Sequence, residues 1–519
     1  MSKRAVVLLV AVALVAAAVL LAPAPSTDSR PAKPSVTRPP VVMLVLDEFP
    51  VDALLTPDGQ IDGARFPNFA RLAATSTWFP NATSDYDSTF KAVPAMLDAR
   101  LPVKGSAPDA RSHRRNIFTH FDRLRYGIVD TESSTALCPP SICRGARTRR
   151  PGVLLRLNRG GRPGRLRRWI RSIRPRARPT LYFQHALLPH EPWIYLPSGR
   201  QSRPAGNDPV PNVNRPPGFH DPELTRHNHL RYLLQTGYVD RQIGFLLARM
   251  RSLGLLDRAM VVVAADHGYS FELGTKDRRL VTESNVEQIA PVPLFIKLPG
   301  QREGRVNDAY VRSVDILPTI AGLLGTRLDW RHDGHSAFSE ITRQRRALSI
   351  VTRDFSRTIR IDAAELERRR RAVRAARAEA FGTGFESMVV FGLPWARAYL
   401  IGPNANLIGT PLPAHLLRSG ETRARVANGG LLARVSRRSR VLPTRVTGRL
   451  DGRGRTPLRN LAVGVNGRVA AVGRSFRLRG DRREWFSMMV PEESLHNGRN
   501  RVQVLEVTPG GRLLRLDAL

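Results

Sequence analysis

The chain has 519 residues, of which 42% are hydrophobic, and its formal net charge is +38. A chain of this length can bury more than one core, so we expect one large domain and at least one smaller one. Lysine occurs only at positions 3, 33, 91, 104, 276 and 297, so most of the positive charge is arginine spread along the chain. No zinc-finger, helix-turn-helix or RNA-binding aromatic pattern accompanies this charge, which argues against a nucleic-acid partner. We expect the arginines to lie on a solvated surface. The alternative is that this basic surface attracts an anionic lipid or polymer.

The N-terminus resembles an export segment. Lys3 and Arg4 precede the uncharged apolar run 5–22, which prolines then end. The run is long enough to cross a bilayer and lacks a small-residue cleavage site. We therefore expect a single-pass signal anchor at 1–22 in the cell membrane with the rest of the chain outside the cytoplasm, a cleaved signal peptide being the alternative. Residues 23–40, rich in Pro, Ser and Thr, are predicted to be an extended linker.

Two stretches near the start of the folded chain contain candidate metal-binding or nucleophilic residues. The apolar run 41–46 predicts a buried strand that ends in Asp47 and Glu48. Further on, Ser88 and Thr89 precede a helical pattern, so their hydroxyls should lie at a helix N-terminus, where backbone N–H groups and the helix dipole favour anions and an ionised nucleophile. The alternative is a helix cap without chemistry.

The middle of the chain contains a cysteine pair and an arginine-dense segment. Cys138 and Cys143 are spaced for a small disulfide loop in an oxidising compartment, two free buried thiols being the alternative. We expect the segment 144–178 to lie on the surface, because it carries many arginines and few acids.

Two further apolar runs end in histidine-containing loops. The run from 180 predicts a strand that leads to His190, with His185 interpreted as a core histidine. The run 261–265 ends in Asp266 and His267, whose carboxylate and imidazole suit a divalent cation. Because open α/β sheets place ligands at the carboxyl ends of their strands, we expect these side chains to meet those of Asp47.

Together these motifs resemble the sulfatase family of the alkaline-phosphatase superfamily over about residues 41–340. The resemblance is carried by the acidic pair Asp47-Glu48, by Pro67-Asn68 with Arg71-Leu72-Ala73, by Pro189-His190-Glu191-Pro192 and by Asp266-His267-Gly268. It implies an α/β fold, an alkaline-phosphatase-like mixed sheet sandwiched by helices. It also implies one divalent metal ion (Mn, Ca, Mg or Zn) held by Asp47, Glu48, Thr89, Asp266 and His267. Gly244 replaces the histidine with which two-metal relatives follow the equivalent of Asp240, so a single ion is expected.

The resemblance also assigns the nucleophile. Counting back from Arg100-Leu101-Pro102 places it on Thr89, whereas sulfatases use a formylglycine made from Cys or Ser. Ser88 lacks the sequence context for that modification. Threonine is typical of the lipoteichoic-acid synthases and phosphoethanolamine transferases, which move phosphoryl groups. In the same family pattern, His190 would assist the leaving group, and Lys91 or Lys276 would approach the substrate anion.

The sequence thus predicts an extracytoplasmic, metal-dependent, sulfatase-like hydrolase or transferase acting on phosphate esters. Its substrate is expected to be an anionic ester, such as a lipid head group or an envelope glycopolymer. One alternative is a sulfatase that hydrolyses a sulfate ester. Another is a catalytically inactive protein that binds an envelope polymer.

Beyond the catalytic domain at 41–340, we expect a helical connecting region at 341–424 and a small β-sandwich at 425–519. Asp362 begins a basic helix that should run to about Phe381 and stop at Gly382. In the tail, alternating apolar residues lead to Asn466-Gly467, a tight hairpin signal. We expect this module to bind or to act as a spacer.

Overall fold

A computed structural model describes residues 38–132, 134–143, 162–204, 210, 220–275, 277–417, 422–427, 429–451, 458–478 and 482–516. The compact unit Pro39–Leu519 contains every element named below. The predicted anchor at 1–22, most of the linker at 23–40, and Lys276 lie outside the described residues. Within the described part of the chain, no helix combines the length and the apolar character needed to cross a membrane.

A seven-stranded mixed sheet forms the centre of the fold, in the order β3-β4-β1-β5-β6-β2-β7. Its strands are β1 (Val41–Asp47), β2 (Thr77–Trp78), β3 (Gly127–Asp130), β4 (Thr180–Pro189), β5 (Met260–Ala265), β6 (Leu294–Lys297) and β7 (Arg305–Val306). β1 lies between β4 and β5 and is parallel to both, while β6 runs antiparallel to β5. All of β1 is buried, which explains why its sequence is continuously apolar instead of alternating.

Helices cover both faces of this sheet. The α-helices of the described chain are α1 (Pro67–Ala73), α2 (Thr89–Asp98), α3 (Ile117–Arg123), α4 (Arg162–Ser172), α5 (Pro222–Ser252), α6 (Val286–Ile289), α7 (Ile316–Leu323), α8 (Glu340–Arg343), α9 (Ala363–Phe381), α10 (Gly384–Phe391) and α11 (Gly429–Leu432). Successive side chains of β1 point to opposite faces. Val42 and Leu44 pack with residues of α4 and α5, whereas Val41 and Met43 pack with residues of α2, α3 and α7. The predicted sheet between two helical layers is therefore present.

The prediction for the arginine-dense segment was partly wrong. Residues 144–161 lie outside the described part of the chain, but α4 follows at Arg162 and packs into the core. Leu166, Trp169 and Ile170 of α4 are all buried. They are spaced to share one face of a helix, and this apolar face outweighs the arginines around it. Nearby, Cys138 and Cys143 form a disulfide.

The region after the central sheet contains a hairpin and two helices. Strands β8 (Ala347–Val351) and β9 (Thr358–Asp362) pair antiparallel and lead directly into α9. The Asp362 side chain caps α9 by accepting a hydrogen bond from the Ala364 amide, and the helix ends at Phe381 before Gly382, as predicted.

The C-terminal residues form two four-stranded antiparallel sheets, β10-β11-β15-β14 and β13-β12-β16-β17. Their strands are β10 (Arg423–Val426), β11 (Arg445–Asp451), β12 (Asn460–Val465), β13 (Arg468–Arg474), β14 (Phe476–Arg477), β15 (Glu484–Met489), β16 (Val502–Val507) and β17 (Leu513–Arg515). Val446 and Phe486 of one sheet share a buried core with Val463 and Val504 of the other, so the predicted β-sandwich is present. Asn466 and Gly467, with φ of 51° and 83°, connect β12 to β13.

The sandwich and the central unit share contacts through α5. This helix packs against β4 and also against β15. A Cβ added at Gly473 of β13 would lie 3.1 Å from His227 Nε2 of α5. The Gln201 amide donates to the Arg440 carbonyl (2.8 Å), and the Leu442 amide donates to the Gln201 carbonyl (2.8 Å). The two parts are thus joined by side-chain packing and by backbone hydrogen bonds.

Candidate active site

The carboxyl ends of β1 and β5 bring Asp47, Asp266 and His267 together. One ligand atom from each residue lies within 4.8 Å of the others, and all three residues are buried. Their proximity follows from the sheet order, because β1 and β5 are parallel neighbours and each runs directly into its acidic residue. The structure therefore places these three predicted metal ligands side by side.

Thr89 joins this cluster from the first position of α2. Its Oγ1 donates to Asp266 Oδ2 at 2.7 Å and lies 3.5 Å from His267 Nε2. Ser88 is the N-cap residue of α2 and makes no side-chain capping hydrogen bond. Of the two adjacent hydroxyls, the structure thus shows that of Thr89 hydrogen-bonded within the acidic cluster.

The ring of His267 is oriented by its own turn. Its Nδ1 lies 2.9 Å from the Gly268 carbonyl, a contact that requires the proton on Nδ1. Nε2 is then the ring nitrogen that faces Thr89. Backbone hydrogen bonds fix the turn, since the Gly268 amide donates to the Ile289 carbonyl at 2.7 Å.

The two carboxylates of the cluster differ in their electrostatic surroundings. Burial and the nearby Asp266 raise the pKa of Asp47 well above its usual value. Burial would also raise the pKa of Asp266, but His267 and His185 outweigh it and lower this pKa to about 2. Asp47 Oδ1 is buried and has no hydrogen-bond partner among the described residues.

This donor set fits a divalent cation. Two carboxylates and one imidazole nitrogen converge, and one carboxylate oxygen lacks a hydrogen-bond partner that would otherwise offset its burial. Asp47, Asp266 and His267 are the residues that would hold the ion, and the Thr89 hydroxyl is close enough to them to face it.

Glu48 adopts a left-handed backbone conformation with φ of 61° and is fully buried. Its carboxylate accepts two hydrogen bonds from Arg278, at 3.0 Å and 2.6 Å. Burial would raise the pKa of Glu48, but Arg278 and His190 lower it to about 2. The predicted metal ligand Glu48 therefore already has a cationic partner in the protein.

Sequence reasoning missed Arg278. The basic residue expected after the Asp266 motif is Lys276, which lies outside the described residues. The available signal was the basic group of Lys276, Arg278 and Arg279, so close behind an acidic cluster. Arg278 is 1% exposed, and an arginine buried so deeply is expected to be paired.

His190 lies between acidic and basic groups at the end of β4. Its Nδ1 is 2.7 Å from the Glu191 carbonyl, and its Nε2 is 3.2 Å from Glu48 and 3.3 Å from Arg278. Burial, with Arg162 and Arg278 nearby, lowers the pKa of His190 to about 3 against the opposing effect of Glu48. His190 is therefore neutral at pH 7 in this state, and its general-acid role stays a prediction.

His185 is more than the core histidine we expected. It is fully buried, with Nδ1 3.4 Å from Glu132 and Nε2 3.6 Å from Asp266. Burial would lower the pKa of His185, but the Asp266 and Glu132 carboxylates outweigh it and raise this pKa to about 10. Glu132, His185, Asp266 and Thr89 thus form a chain of polar contacts. No sequence pattern predicted this chain of contacts, because Glu132 reaches His185 only through the pairing of β3 with β4.

Lys91 and Asp240 complete the predicted residues. The Lys91 ammonium donates to the Val103 and Ser106 carbonyls at 2.6 Å and 2.5 Å, so its described hydrogen bonds are not to the acidic cluster. Its role near the substrate anion stays a prediction. Asp240 accepts hydrogen bonds from the Asn68 and Phe69 amides, at 2.9 Å and 2.8 Å, which fits the structural role expected for it.

Known proteins resemble parts of this chain. An endo-4-O-sulfatase of Bacteroides thetaiotaomicron is 32% identical over 95 residues, which is 18% of each chain. Arylsulfatase K of Danio rerio is 30% identical over 126 residues, which is 24% of each chain. The chain thus spans about a fifth to a quarter of the length of these curated relatives. The phosphonate monoester hydrolase of Agrobacterium radiobacter aligns over 66% of this chain and 94% of its own, with a TM-score of 0.42 and 15% identity.

The family model matches only the part of the chain that carries the later residues of the candidate site. Residues 165–326 match the family model described as Sulfatase, a segment that contains His190, Asp266 and His267, while Asp47 and Thr89 precede it. The resemblance noted in the sequence is confirmed. Residues 165–326 are thus similar to the sulfatase family.

Proposed function

We propose that this chain is a metal-dependent hydrolase or phosphoryl transferase that acts on phosphate esters through Thr89. The observation that carries the proposal is the 2.7 Å hydrogen bond from Thr89 Oγ1 to Asp266 Oδ2, inside the cluster of Asp47, Asp266 and His267. A divalent cation bound by these residues would supply positive charge that lowers the pKa of a nearby hydroxyl and stabilises charge on the attacked ester.

The protein's own residues position the reacting groups. Asp266 orients the Thr89 hydroxyl, and Thr89 lies at the N-terminus of α2, where the exposed amides favour an anion. Attack of Thr89 Oγ1 on phosphorus forms a phosphothreonine and releases the alcohol of the ester, and water or an acceptor alcohol then opens the phosphothreonine. Arg278 and His190 lie together beside Glu48, where the guanidinium could face the substrate anion.

The nature of the nucleophile favours phosphorus over sulfur. An ordinary hydroxyl forms a phosphate ester that a second attack can open. A formylglycine hydrate instead expels sulfate by using its second hydroxyl, which threonine does not have. Hydrolysis of a sulfate ester remains the second candidate, because the names of the curated relatives describe sulfatases.

A paired assay separates the two candidates. Purified full-length protein is given bis(para-nitrophenyl) phosphate or para-nitrophenyl sulfate with a divalent cation. We expect phosphodiester cleavage that falls by about a thousandfold or more in Thr89→Ala and is partly retained in Thr89→Ser. Ser88→Ala is the matched control and should behave like the parent. Release of sulfate alone, abolished by Ser88→Ala, would replace the phosphate proposal with the sulfatase.

We further propose that the chain lies outside the cytoplasm, held in the cell membrane by residues 1–22, and that its substrate is an anionic envelope component such as a lipid head group or glycopolymer. The apolar run 5–22 supports this location, and the disulfide of Cys138 with Cys143 suits an oxidising compartment. Fractionation should recover the full-length chain in membranes, released only by detergent. A soluble form that starts near residue 25 would show a cleaved signal instead.

A further inference from the structure

The hairpin of β8 and β9 lies against the segment that leads into α2. Residues 352–357 form the tip of this hairpin, between the two strands. The Tyr86 hydroxyl donates to the Arg353 carbonyl at 2.6 Å, and the Tyr86 ring packs on that of Phe355 with centroids 5.2 Å apart. The tip therefore contacts the stretch of chain just before Thr89.

The Arg353 guanidinium joins two acidic residues from different segments. Its Nε donates to Asp87 Oδ1 at 3.2 Å, and its Nη2 donates to the Asp87 carbonyl at 3.3 Å. Its Nη1 donates to Asp277 Oδ2 at 2.5 Å. The planar, forked guanidinium can make these contacts at the same time, whereas a lysine ammonium lacks that geometry. Arg353 thus ties the turn before α2 to the loop that contains Asp277.

Asp87 connects this guanidinium to the proposed nucleophile. The Asp87 side chain is fully buried, and its Oδ2 also accepts a hydrogen bond from the Val281 amide at 3.0 Å. Asp87 lies two residues before Thr89, and Ser88 between them is an N-cap residue without a side-chain capping hydrogen bond. The start of α2 therefore lacks the usual side-chain cap, and the hydrogen bonds of Asp87 hold the chain just ahead of it.

The positive charge of Arg353 is already offset by these two carboxylates. Each of the three guanidinium nitrogens has an acceptor, so Arg353 is poorly placed to bind the anion of a substrate directly. Its influence on a reaction at Thr89 would instead pass through Asp87. Arg353 lies beyond the segment 165–326 that matches the family model, and Asp87 precedes that segment. The family comparison thus does not cover this contact.

We propose that Arg353 is a positioning residue for the reaction. It holds Asp87, and through Asp87 the start of α2, so that the Thr89 hydroxyl stays within the acidic cluster, while Asp277 fixes the guanidinium from the other side. The inference rests on the proposed function for its effect on catalysis, but not for its effect on the order of residues 86–96.

The first measurement does not depend on activity. Hydrogen exchange of the full-length protein in chelator is followed by mass spectrometry for a peptide that covers residues 86–96. We expect Arg353→Ala to speed the exchange of this peptide about tenfold or more, because the start of α2 loses its support. Arg357→Ala is the matched control and should leave the exchange unchanged. Arg357 lies on the same hairpin tip, but its guanidinium pairs with Glu283 at the surface, at 2.6 Å.

The second measurement separates kcat from KM in the phosphodiester assay. A displaced nucleophile slows the reaction without weakening substrate binding, so Arg353→Ala should lower kcat about ten- to a hundredfold and change KM by less than about threefold. Arg353→Lys should retain more activity than Arg353→Ala and less than the parent. The Arg353 side chain is 30% exposed, so a free guanidinium ion can reach its place. Guanidinium chloride should therefore recover part of the kcat of Arg353→Ala, and sodium chloride at the same concentration should not.

The outcomes separate this inference from the proposed function. Faster exchange in Arg353→Ala alone, in a protein without Thr89-dependent activity, would support the hold on α2 and reject only the proposed reaction. Unchanged exchange in Arg353→Ala would overturn the inference. So would a parental kcat, a rise in KM alone, or an equal loss of kcat in Arg357→Ala. If Arg353→Ala does not fold, Arg353→Lys is compared with Arg357→Ala in both measurements, with smaller changes expected in the same directions.

Discussion

The surroundings of Asp47 disfavour its charged form. Its carboxyl group is fully buried beside Asp266, and these two effects raise its pKa, so burying Asp47 without a metal costs stability above its usual pKa. Glu48, one residue later, is the reverse case, because Arg278 pairs with it and its pKa falls to about 2. Adjacent carboxylates thus contribute to stability with opposite signs.

We predict that Asp47→Asn stabilises the metal-free protein, by of the order of 1 kcal/mol, and that Glu48→Gln destabilises it by about 3–5 kcal/mol. Because the folded-state pKa of Asp47 is raised, the metal-free protein loses stability as pH rises from the usual value of 3.8 toward the folded-state pKa. Because the pKa of Glu48 is depressed, its contribution is present above about pH 4.5 and is lost as pH falls toward 2.

Urea unfolding at pH 7 with chelator measures both effects. Added divalent cation should stabilise the parent protein and have little effect on Asp47→Asn. If Asp47→Asn weakens the chelated protein and leaves the cation response intact, Asp47 is not a metal ligand.

For individual residues, the sequence predicted the acidic side chains at the strand ends but not the side chains that contact them. Asp47 and Asp266 were visible because each interrupts a continuous apolar run. Arg278 and His185 were not, since their contacts depend on how a loop folds back and on which strand lies beside β1. Side chains that come together from distant segments have no characteristic spacing in the sequence that would reveal their contact.

Among the elements, the turn after β5 imposes the closest packing on the site. A Cβ added at Gly268 would lie 2.4 Å from the Gln288 carbonyl oxygen and 2.7 Å from that of Ile289. Both are backbone atoms held by hydrogen bonds to this turn. Neither oxygen can move away as the end of a flexible side chain could, so the turn that carries His267 requires glycine.

We predict that Gly268→Ala destabilises the protein by about 1–3 kcal/mol and lowers activity, because the clash displaces His267. Gly322→Ala is the matched control. That glycine lies in α7 with open space around it, so the same change should stabilise by about 0.5–1 kcal/mol. Unfolding by urea and the phosphodiester assay, run on both variants, check this. A Gly268→Ala protein with parental stability and activity would contradict it.

Elements with strong local signals were predicted well. The hairpin at Asn466 and the cap of α9 each depend on a few adjacent residues. α4 was missed because its arginines hid the spacing of Leu166, Trp169 and Ile170. The composition of a segment therefore indicates less about whether a helix is buried than the spacing of its apolar residues does.

For the whole molecule, the order of strands could not be read from the sequence. The lengths and polarity of the apolar runs indicated a sheet, but the position of β1 between β4 and β5 is set by packing among segments more than 130 residues apart. α5 lies within the segment 165–326 that matches the family model, whereas the sandwich lies beyond it. No sequence pattern indicated that the two are in contact.

We predict that the central unit and the sandwich unfold together. Calorimetry of the full-length protein should show one transition for both, and limited proteolysis should not release a stable fragment covering 41–410. The reason is that α5 packs on both parts and Gln201 bridges to residues 440 and 442 by backbone hydrogen bonds. Two separated transitions would show that the sandwich is an independent module.

This shared helix has a consequence for the order of events during synthesis. The half of α5 that contains His227 can be covered only when β13 and β15 exist, and β12 and β13 in turn need β16 near the C-terminus to complete their sheet. A ribosome must therefore finish almost the whole chain before the helix that supports the β4 side of the site gains its full set of neighbours. Until then the nascent chain stays incompletely folded, and the acidic cluster gains its full support only after synthesis is nearly complete.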